Sequence, residues 1–336
     1  MALSCICLFK SARRMLLYTV MSTKPRLLSG QKPTGTPHIG NYFGALKQWV
    51  DLQNADAHEC FFMIADYHAL NFIQDPVQMK EHTYELLRTL LAIGIDPQKV
   101  TIFKQSDIAE HTELTWIFNT ITTMPYLMRA HAFKDAEAKN SEINVGTFDY
   151  PLLMASDILL YDTALVPVGQ DQKQHIEYAR DTAEKFNRIF GETFKLPEPY
   201  ILEQVAVVPG TDGQKMSKSY GNTIPLFASR EEIEKAVMSI VTDSTGERPE
   251  NVYAIHALIK DTASLNALYE EHKGKYKALK DALIEDLDAF IAPMREKYLT
   301  LIDRVHLDML LESGAASARI VAEAKMRTVK KAVGVL

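Results

Sequence analysis

Apolar positions along this chain recur with two periods. Arg26-Leu27-Leu28-Ser29 reads as a short strand ending at Gly30. A loop with two prolines and Gly35 follows, and a helix starts at His38 or Gly40 with Ala45, Leu46, Trp49, Val50 and Leu52 on its apolar face. Phe61 to Ala65 is an unbroken apolar run, the pattern of a strand buried on both faces. Pro76 to Ile93 carries Leu86, Leu87, Leu90 and Leu91 at helical spacing and stops at Gly94. Val100 to Phe103 predicts the next strand. Strands alternating with helices over short links predict the α/β class with a parallel sheet. Beyond Pro225 the strand pattern fades. Ile233, Val237 and Ile240, then Leu279, Leu283, Leu287 and Phe290, keep helical spacing. The expected division is an N-terminal extension over 1–20, an α/β domain over 21–223 and a helical domain over 224–336.

Two further stretches are polar in unusual places. Tyr150-Pro151-Leu152-Leu153-Met154-Ala155-Ser156-Asp157-Ile158-Leu159-Leu160-Tyr161 is almost wholly apolar, and Pro151 suits a first helical turn. Positions 150, 154, 157 and 161 then share one face. A carboxylate in such a run needs a partner. That partner is either a ligand N–H or a group on a neighbouring helix or backbone. After Val166-Pro167-Val168 come Gly169, Gln170, Asp171, Gln172 and His175, where α/β sheets place ligands. Asp171, Gln172 and His175 either bind a ligand or cap the next helix.

Composition narrows the classes. With 336 residues, 47% of them hydrophobic, the chain is long enough for about two domains with sizeable cores. Its net charge of −6 argues against a surface that coats DNA, so nucleic-acid contact must be local. Cys5, Cys7 and Cys60 form neither a disulfide framework nor a zinc site and suit a reducing compartment. In residues 1–20 neither apolar piece reaches the ~20 residues of a membrane span. Lys10, Arg13 and Arg14 follow the first apolar run, the wrong order for a secretory signal. No Asp or Glu precedes Asp51, as in an organellar transit peptide. The favoured expectation is a misassigned start, with Met21 the true first residue.

The chemistry concentrates in two loops. Pro37-His38-Ile39-Gly40-Asn41 lies between a strand and a helix, where backbone N–H groups and the helix dipole attract phosphate. Gly40, lacking Cβ, lets a flat ligand approach the backbone. Alone, this segment reads equally as a turn that begins a helix. Lys215-Met216-Ser217-Lys218-Ser219 sits between two turn signals, Pro209 to Gly213 and Tyr220-Gly221-Asn222. Two lysines and two serines on a mobile surface loop suit capture of a multiply charged anion.

Together these loops resemble those of the class I aminoacyl-tRNA synthetases, which carry a His-Ile-Gly-His-type motif and a Lys-Met-Ser-Lys-Ser loop. The first reads His38-Ile39-Gly40-Asn41 here, and the second is complete. With Ser29-Gly30, Pro33-Thr34-Gly35, Gly44-Ala45, Asp66-Tyr67-His68 and the two stretches above, the chain resembles the tryptophanyl-tRNA synthetases from Leu27 to the C-terminus. The resemblance implies a Rossmann-like parallel-sheet catalytic domain and a C-terminal helical, tRNA-binding domain. It implies activation of L-tryptophan by ATP with Mg²⁺, transfer to tRNA(Trp), a homodimer built around 108–150, and cytoplasmic residence, with no DNA or membrane partner. By the same resemblance Asp157 accepts the indole N–H and Met154 packs on the ring. Tyr150 and Gln172 hold the ammonium, and His68 sits near the pocket. The ATP site falls on Gln31, Lys32, His38, Gly40 and Asn41, on Gly169 and Asp171, and on Lys215, Met216, Ser217 and Lys218. Lys215, Lys218, His38 and Asn41 carry the catalytic role, and no residue is assigned to metal.

Four positions depart from common family patterns. Leu28 replaces an aromatic, Lys32 and Tyr67 replace glutamines, and Gln170 replaces a glutamate. They leave pocket packing and magnesium coordination open. Two basic groups, Arg129 with His131 and Lys134, and Lys325 with Arg327, Lys330 and Lys331, are either solvated faces or tRNA contacts. Competing readings are a tyrosyl-tRNA synthetase, a nucleotidyltransferase sharing only the first motif, and a non-catalytic RNA-binding paralogue. Dependence of ATP–pyrophosphate exchange on tryptophan, tyrosine or phenylalanine separates them.

Overall fold

The computed structural model describes residues 23–130, 133–134, 137, 143–168, 173–201, 207–242 and 248–336. The 1–20 extension lies outside them. Strands β1 (Arg26–Gln31), β2 (Glu59–Ile64), β3 (Thr101–Lys104), β4 (Leu165–Val168) and β5 (Glu198–Ile201) form one parallel sheet in the order β3-β2-β1-β4-β5. The chain steps outward from β1 in one direction, then returns to β4 on its other side. That reversal leaves a crevice at the carboxyl ends of β1 and β4, where ligands bind in open α/β sheets.

The helix after β1 forms in three pieces: α1 (Ile39–Asn41), a π-helical stretch Tyr42–Leu46, and α2 (Lys47–Ala55). Next come α3 (Asp66–Ala69), α4 (Pro76–Ala92), α5 (Glu110–Ile121), α6 (Met124–Leu127), α7 (Val145–Leu159) and α8 (Lys173–Phe190). The C-terminal third is helical, with α9 (Arg230–Met238), α10 (Glu250–His256), α11 (Thr262–Glu271), α12 (Tyr276–Thr300) and α13 (Arg304–Ala332). α4 begins as its sequence predicts. Asp75 caps it by accepting from Val77 N and Gln78 N, and Pro76 fills the first turn.

Pro151 is a correction. It lies inside α7 rather than in its first turn, because Asn144 caps the helix further upstream by accepting from Thr147 N at 2.7 Å. The apolar stretch alone masked that earlier start. Tyr161 lies just beyond α7, buried with the core.

Alternating strand residues feed two cores, one on each face. Leu27, Phe62, Ile64 and Ile102 pack with Trp49, Leu87, Leu90, Ile224, Ile233, Leu283 and Leu311. Leu28, Phe61, Met63 and Phe103 pack with Leu114, Phe118, Leu152, Ile158 and Phe186. The first core therefore continues from the sheet into the helices after 224. Tyr42 and Phe43 add ring contacts with Phe290 of α12, at 5.7 and 5.5 Å.

α13 belongs to both cores. Leu307 and Leu311 lie in the first, and Ala315, Ala318, Ala322 and Met326 in the second. It changes faces by crossing the open edge of β3 at Gly314. A Cβ there would sit 1.7 Å from the Ile102 carbonyl oxygen. Only glycine lets the helix backbone lie on the strand edge, and the helix covers that edge against pairing with another chain. Tyr84 OH donates to Asp308 at 2.5 Å, and Arg304 stacks on the Tyr84 ring, which binds the start of α13 to α4. We predict that Gly314→Ala lowers stability by about 1–3 kcal/mol through overpacking. Urea or thermal unfolding checks this, and an unchanged Tm would mean that the helix does not rest on β3.

Candidate active site

The two loops meet at the crevice. Leu226 N donates to Pro37 O at 3.0 Å and Ile39 N to Ile224 O at 2.9 Å, bracketing an antiparallel bridge between His38 and Pro225. The segment leaving the lysine loop is thus hydrogen-bonded directly to the first motif. The loop is further shaped by Asn222, which is 2% exposed. Its Oδ1 accepts from Ser217 N at 2.8 Å, and its Nδ2 donates to Asp212 Oδ1 at 2.7 Å and to Lys215 O at 3.2 Å. Gly210 makes room for that amide, since a Cβ would lie 2.2 Å from Nδ2.

Met216 departs from the surface-loop expectation. It is buried in the first core while Lys215 and Lys218 stay exposed, so the loop is pinned at its second residue. Gly40 permits this, because a Cβ there would meet the His38 imidazole at 2.9 Å and the Met216 Cβ at 3.3 Å. Lys218 Nζ donates to Thr34 O at 2.9 Å, reaching across to the loop after β1. Burial lowers its pKa, opposed by Glu85.

His38 is buried, and its Nδ1 has no hydrogen-bond partner. Burial first, and then the charge of Lys218, push its pKa down to about 4. It is therefore a neutral hydrogen-bonding group. Asn41 accepts from His38 N at 3.1 Å through Oδ1 and so closes the helix start. Gln31 ends β1, and its carbonyl accepts from Ala65 N at 2.9 Å. Lys32 Nζ lies 4.6 Å from the ring centre of exposed Phe72. Of the other expected nucleotide contacts, Gly169 and Asp171 lie outside the described residues.

The residues expected to contact the amino acid centre on Asp157, 2% exposed on α7. Its Oδ2 lies 2.9 Å from His68 Nε2, and its Oδ1 accepts from Gln105 Nε2 at 2.8 Å. His111 Nδ1 approaches Oδ1 at 2.6 Å, a close polar contact without the alignment of a full hydrogen bond. Burial opposes ionisation of Asp157, but His111 and His68 outweigh it, and the net pKa is lowered. The carboxylate is thus anionic, and its partners come from neighbouring elements. It has roughly four acceptor positions, and the contacts above occupy three. Tyr150 meets His68 edge-on at 6.3 Å and His175 at 6.0 Å, and Met154 is half-buried on the second core. Gln172 and Gln170 lie outside the described residues.

Gln105 and His111 escaped the sequence analysis, and Tyr161, placed there on the face of Asp157, was given no role. Gln105 and Ser106 follow β3 directly, and polar residues at a strand's carboxyl end were the available signal. Asp66 fixes this corner by accepting from Ser106 N at 3.0 Å and from the Ser106 hydroxyl. The C-terminal basic group also changes. Lys325 Nζ pairs with Asp162 at 2.5 Å and donates to Thr193 O, and Lys330 pairs with Glu113 at 2.6 Å. Arg327 and Lys331 remain exposed. Arg129 stacks over Tyr126 at 5.3 Å, Lys134 is exposed, and His131 lies outside the described residues.

A family model described as tRNA synthetases class I (W and Y) matches residues 21–297. The chain is 46% identical over 321 residues to the tryptophan–tRNA ligase of Fusobacterium nucleatum, covering 93% of this chain and 98% of that protein. It is 47% identical over 309 residues to that of Rhodopirellula baltica, covering 88% and 95%. The crystal structure of tryptophanyl-tRNA synthetase from Campylobacter jejuni complexed with ADP and tryptophan matches with a TM-score of 0.86 at 44% identity, covering 92% of this chain and 99% of that one. The chain belongs to the class I tryptophanyl-tRNA synthetases. Membership in this synthetase family accords with a complete lysine loop bonded to a His-Ile-Gly motif at the reversal of a parallel sheet.

The position of His38 in this synthetase is open to titration. Its folded pKa near 4 lies below the unfolded 6.5, so the unfolded chain takes up the proton first. The stability it contributes is complete above pH 6.5 and declines as pH falls toward 4. We predict that the His38 imidazole titrates near pH 4 by NMR and that Lys218→Ala raises that midpoint. An unmoved midpoint would mean that Lys218 does not lie over His38.

Proposed function

We infer that this enzyme joins L-tryptophan to tRNA(Trp) in two steps driven by ATP. The tryptophan carboxylate attacks the α-phosphorus of ATP, a new O–P bond forms, and pyrophosphate leaves. The adenylate then passes its acyl group to the terminal ribose hydroxyl of the tRNA, releasing AMP. A carboxylate is already a nucleophile, so the first step needs no general base. Its acceleration comes from positioning and from charge stabilisation.

The observation that carries the reading is the meeting of Lys218 with the loop after β1 beside neutral His38, in a chain that also holds a buried anionic Asp157. Lys218 and Lys215 bind the phosphates as charge builds on the departing pyrophosphate, and Lys218 exchanges Thr34 O for a phosphate oxygen. His38 donates to a phosphate oxygen without adding charge, and Gly40 lets the nucleotide lie against the backbone. On the other side Asp157 accepts the indole N–H with its remaining acceptor position, Met154 packs on the ring, and Tyr150 and Gln172 hold the ammonium. Mg²⁺ belongs to this proposal as the partner of the ATP phosphates. Among the described residues no group of three His, Cys, Asp or Glu side chains could hold a metal ion.

The helices after 224 serve the tRNA in this proposal, with Arg327 and Lys331 among the available cations. A homodimer is part of it as well. Trp116, Met124, Met128 and Val145 are exposed apolar residues within 108–150, the region expected to face a second copy. Among the described residues no helix is long and apolar enough to cross a membrane. Cytoplasmic residence completes the proposal.

ATP–pyrophosphate exchange tests the reading directly. Tryptophan should support exchange, and tyrosine and phenylalanine should not; exchange driven by tyrosine would overturn it. Lys218→Ala should slow exchange by about 10²–10³-fold, the effect of losing one preorganised donor. Wild-type exchange in that variant would remove Lys218 from the mechanism. Asp157→Ala should cut discrimination between tryptophan and phenylalanine by tenfold or more, because an unpaired polar group is what rejects the wrong ligand. Unchanged selectivity would rule out Asp157 as the reader of the indole.

A further inference from the structure

Behind Asp157 lies a buried set of side chains that touches neither of the two sequence motifs. His111 and Gln105 are both fully buried, and so is Tyr161. Gln105 uses both ends of its amide. Its Nε2 donates to Asp157 at 2.8 Å, and its Oε1 accepts from His68 N at 3.3 Å. His111 also works at both ends, with Nδ1 against Asp157 and Nε2 2.9 Å from Tyr161 OH. Thr115, one turn along α5, has its hydroxyl within hydrogen-bond distance of both His111 O (2.7 Å) and Ser156 Oγ (3.0 Å), which ties α5 to α7 beside Asp157.

These contacts set the hydrogens. Burial, and then the charge of Asp157, hold the Tyr161 phenol well above its usual pKa, so it remains a donor. Donation by Tyr161 to Nε2 leaves the His111 hydrogen on Nδ1, facing the carboxylate; the tautomer follows from the partners. Gln105 can present only its NH₂ to a carboxylate, and its carbonyl then faces His68 N. A carboxylate held by His68 and Gln105, with His111 Nδ1 closing off one side, cannot rotate to satisfy itself when a ligand lacks a hydrogen. Its vacant position then stays unpaired in a buried site, which penalises that ligand.

We propose that Gln105, His111 and Tyr161 are positioning residues for substrate selection, holding the Asp157 carboxylate in one orientation with a single acceptor position aimed at the indole N–H. The proposal rests on the reading of Asp157 given above. The three residues act through Asp157, so their effect falls on recognition of the N–H rather than on the phosphoryl step. A purely structural cluster would lower stability without touching that recognition.

The test compares tryptophan with 3-benzothienylalanine, in which sulfur replaces the indole N–H, in ATP–pyrophosphate exchange by the full-length enzyme. Tyr161→Phe removes one oxygen, and Gln105→Met keeps the length while removing both amide contacts. Both variants should lower the preference for tryptophan by about tenfold, through a raised KM for tryptophan. The kcat for both substrates and the KM for the sulfur analogue should stay within about twofold of wild type. Wild-type preference in Tyr161→Phe would overturn the proposal, whatever happens to Tm. Should Gln105→Met fail to fold, Tyr161→Phe decides alone. Asp157→Ala separates the two levels. If it keeps the preference, the reading of Asp157 fails and the proposal with it. If it loses the preference while Tyr161→Phe retains it, only the positioning role fails.

Discussion

Two backbone hydrogen bonds hold the catalytic arrangement together: Leu226 N to Pro37 O and Ile39 N to Ile224 O. They splice the segment after the lysine loop onto the loop that begins the first helix. Backbone bonds of this kind are indifferent to side-chain identity, so they set the register between two motifs far apart in sequence. Each side of the splice is then anchored in the same core. Ile39, Met216, Ile224 and Leu226 all pack there, and α12 and α13 close over it with Leu283, Leu287 and Leu311. The helical C-terminal third is therefore structurally continuous with the crevice as well as following it in sequence.

Electrostatics divides the crevice. Lys218 places positive charge beside the loop after β1, and His38 stays neutral through burial and the repulsion of Lys218. The buried anion Asp157 is the other charged centre. A carboxylate in that position without partners would take up a proton, because burial favours the neutral form. His68, Gln105 and His111 keep it charged. An anion fit to accept a hydrogen bond and cations fit to bind phosphate suit a reaction that brings an amino acid to a nucleoside triphosphate.

The fold was largely legible in hydrophobic period. Most of β2 falls in an unbroken apolar run because it is buried on both faces, and α4 announces itself through Pro76 and four leucines. The start of α7 was not legible. Pro151 resembles a first-turn proline, and the upstream cap Asn144 gives a weaker signal than the proline does. At the site, the lysine loop was plain because five specific residues in a row are rare. The burial of Met216 within it was not, since its partners Gly40 and Ile224 lie elsewhere in the chain. Gln105 and His111 carried no local sign of their role, because a buried polar residue declares itself only through the group it meets.

The sequence by itself determined the parallel α/β sheet, the helical C-terminal region, the two loop motifs and, through them, the family. Each is encoded in neighbouring residues, by periodicity or by contiguous side-chain chemistry. Tertiary structure alone decided that α13 crosses the edge of β3 on Gly314, that Lys325 and Lys330 are committed to Asp162 and Glu113, and that Asp157 is held by residues from three other elements. Those facts depend on contacts between residues distant in the chain. Close approach, ion pairing and burial are properties of distance in space, which a linear pattern does not contain.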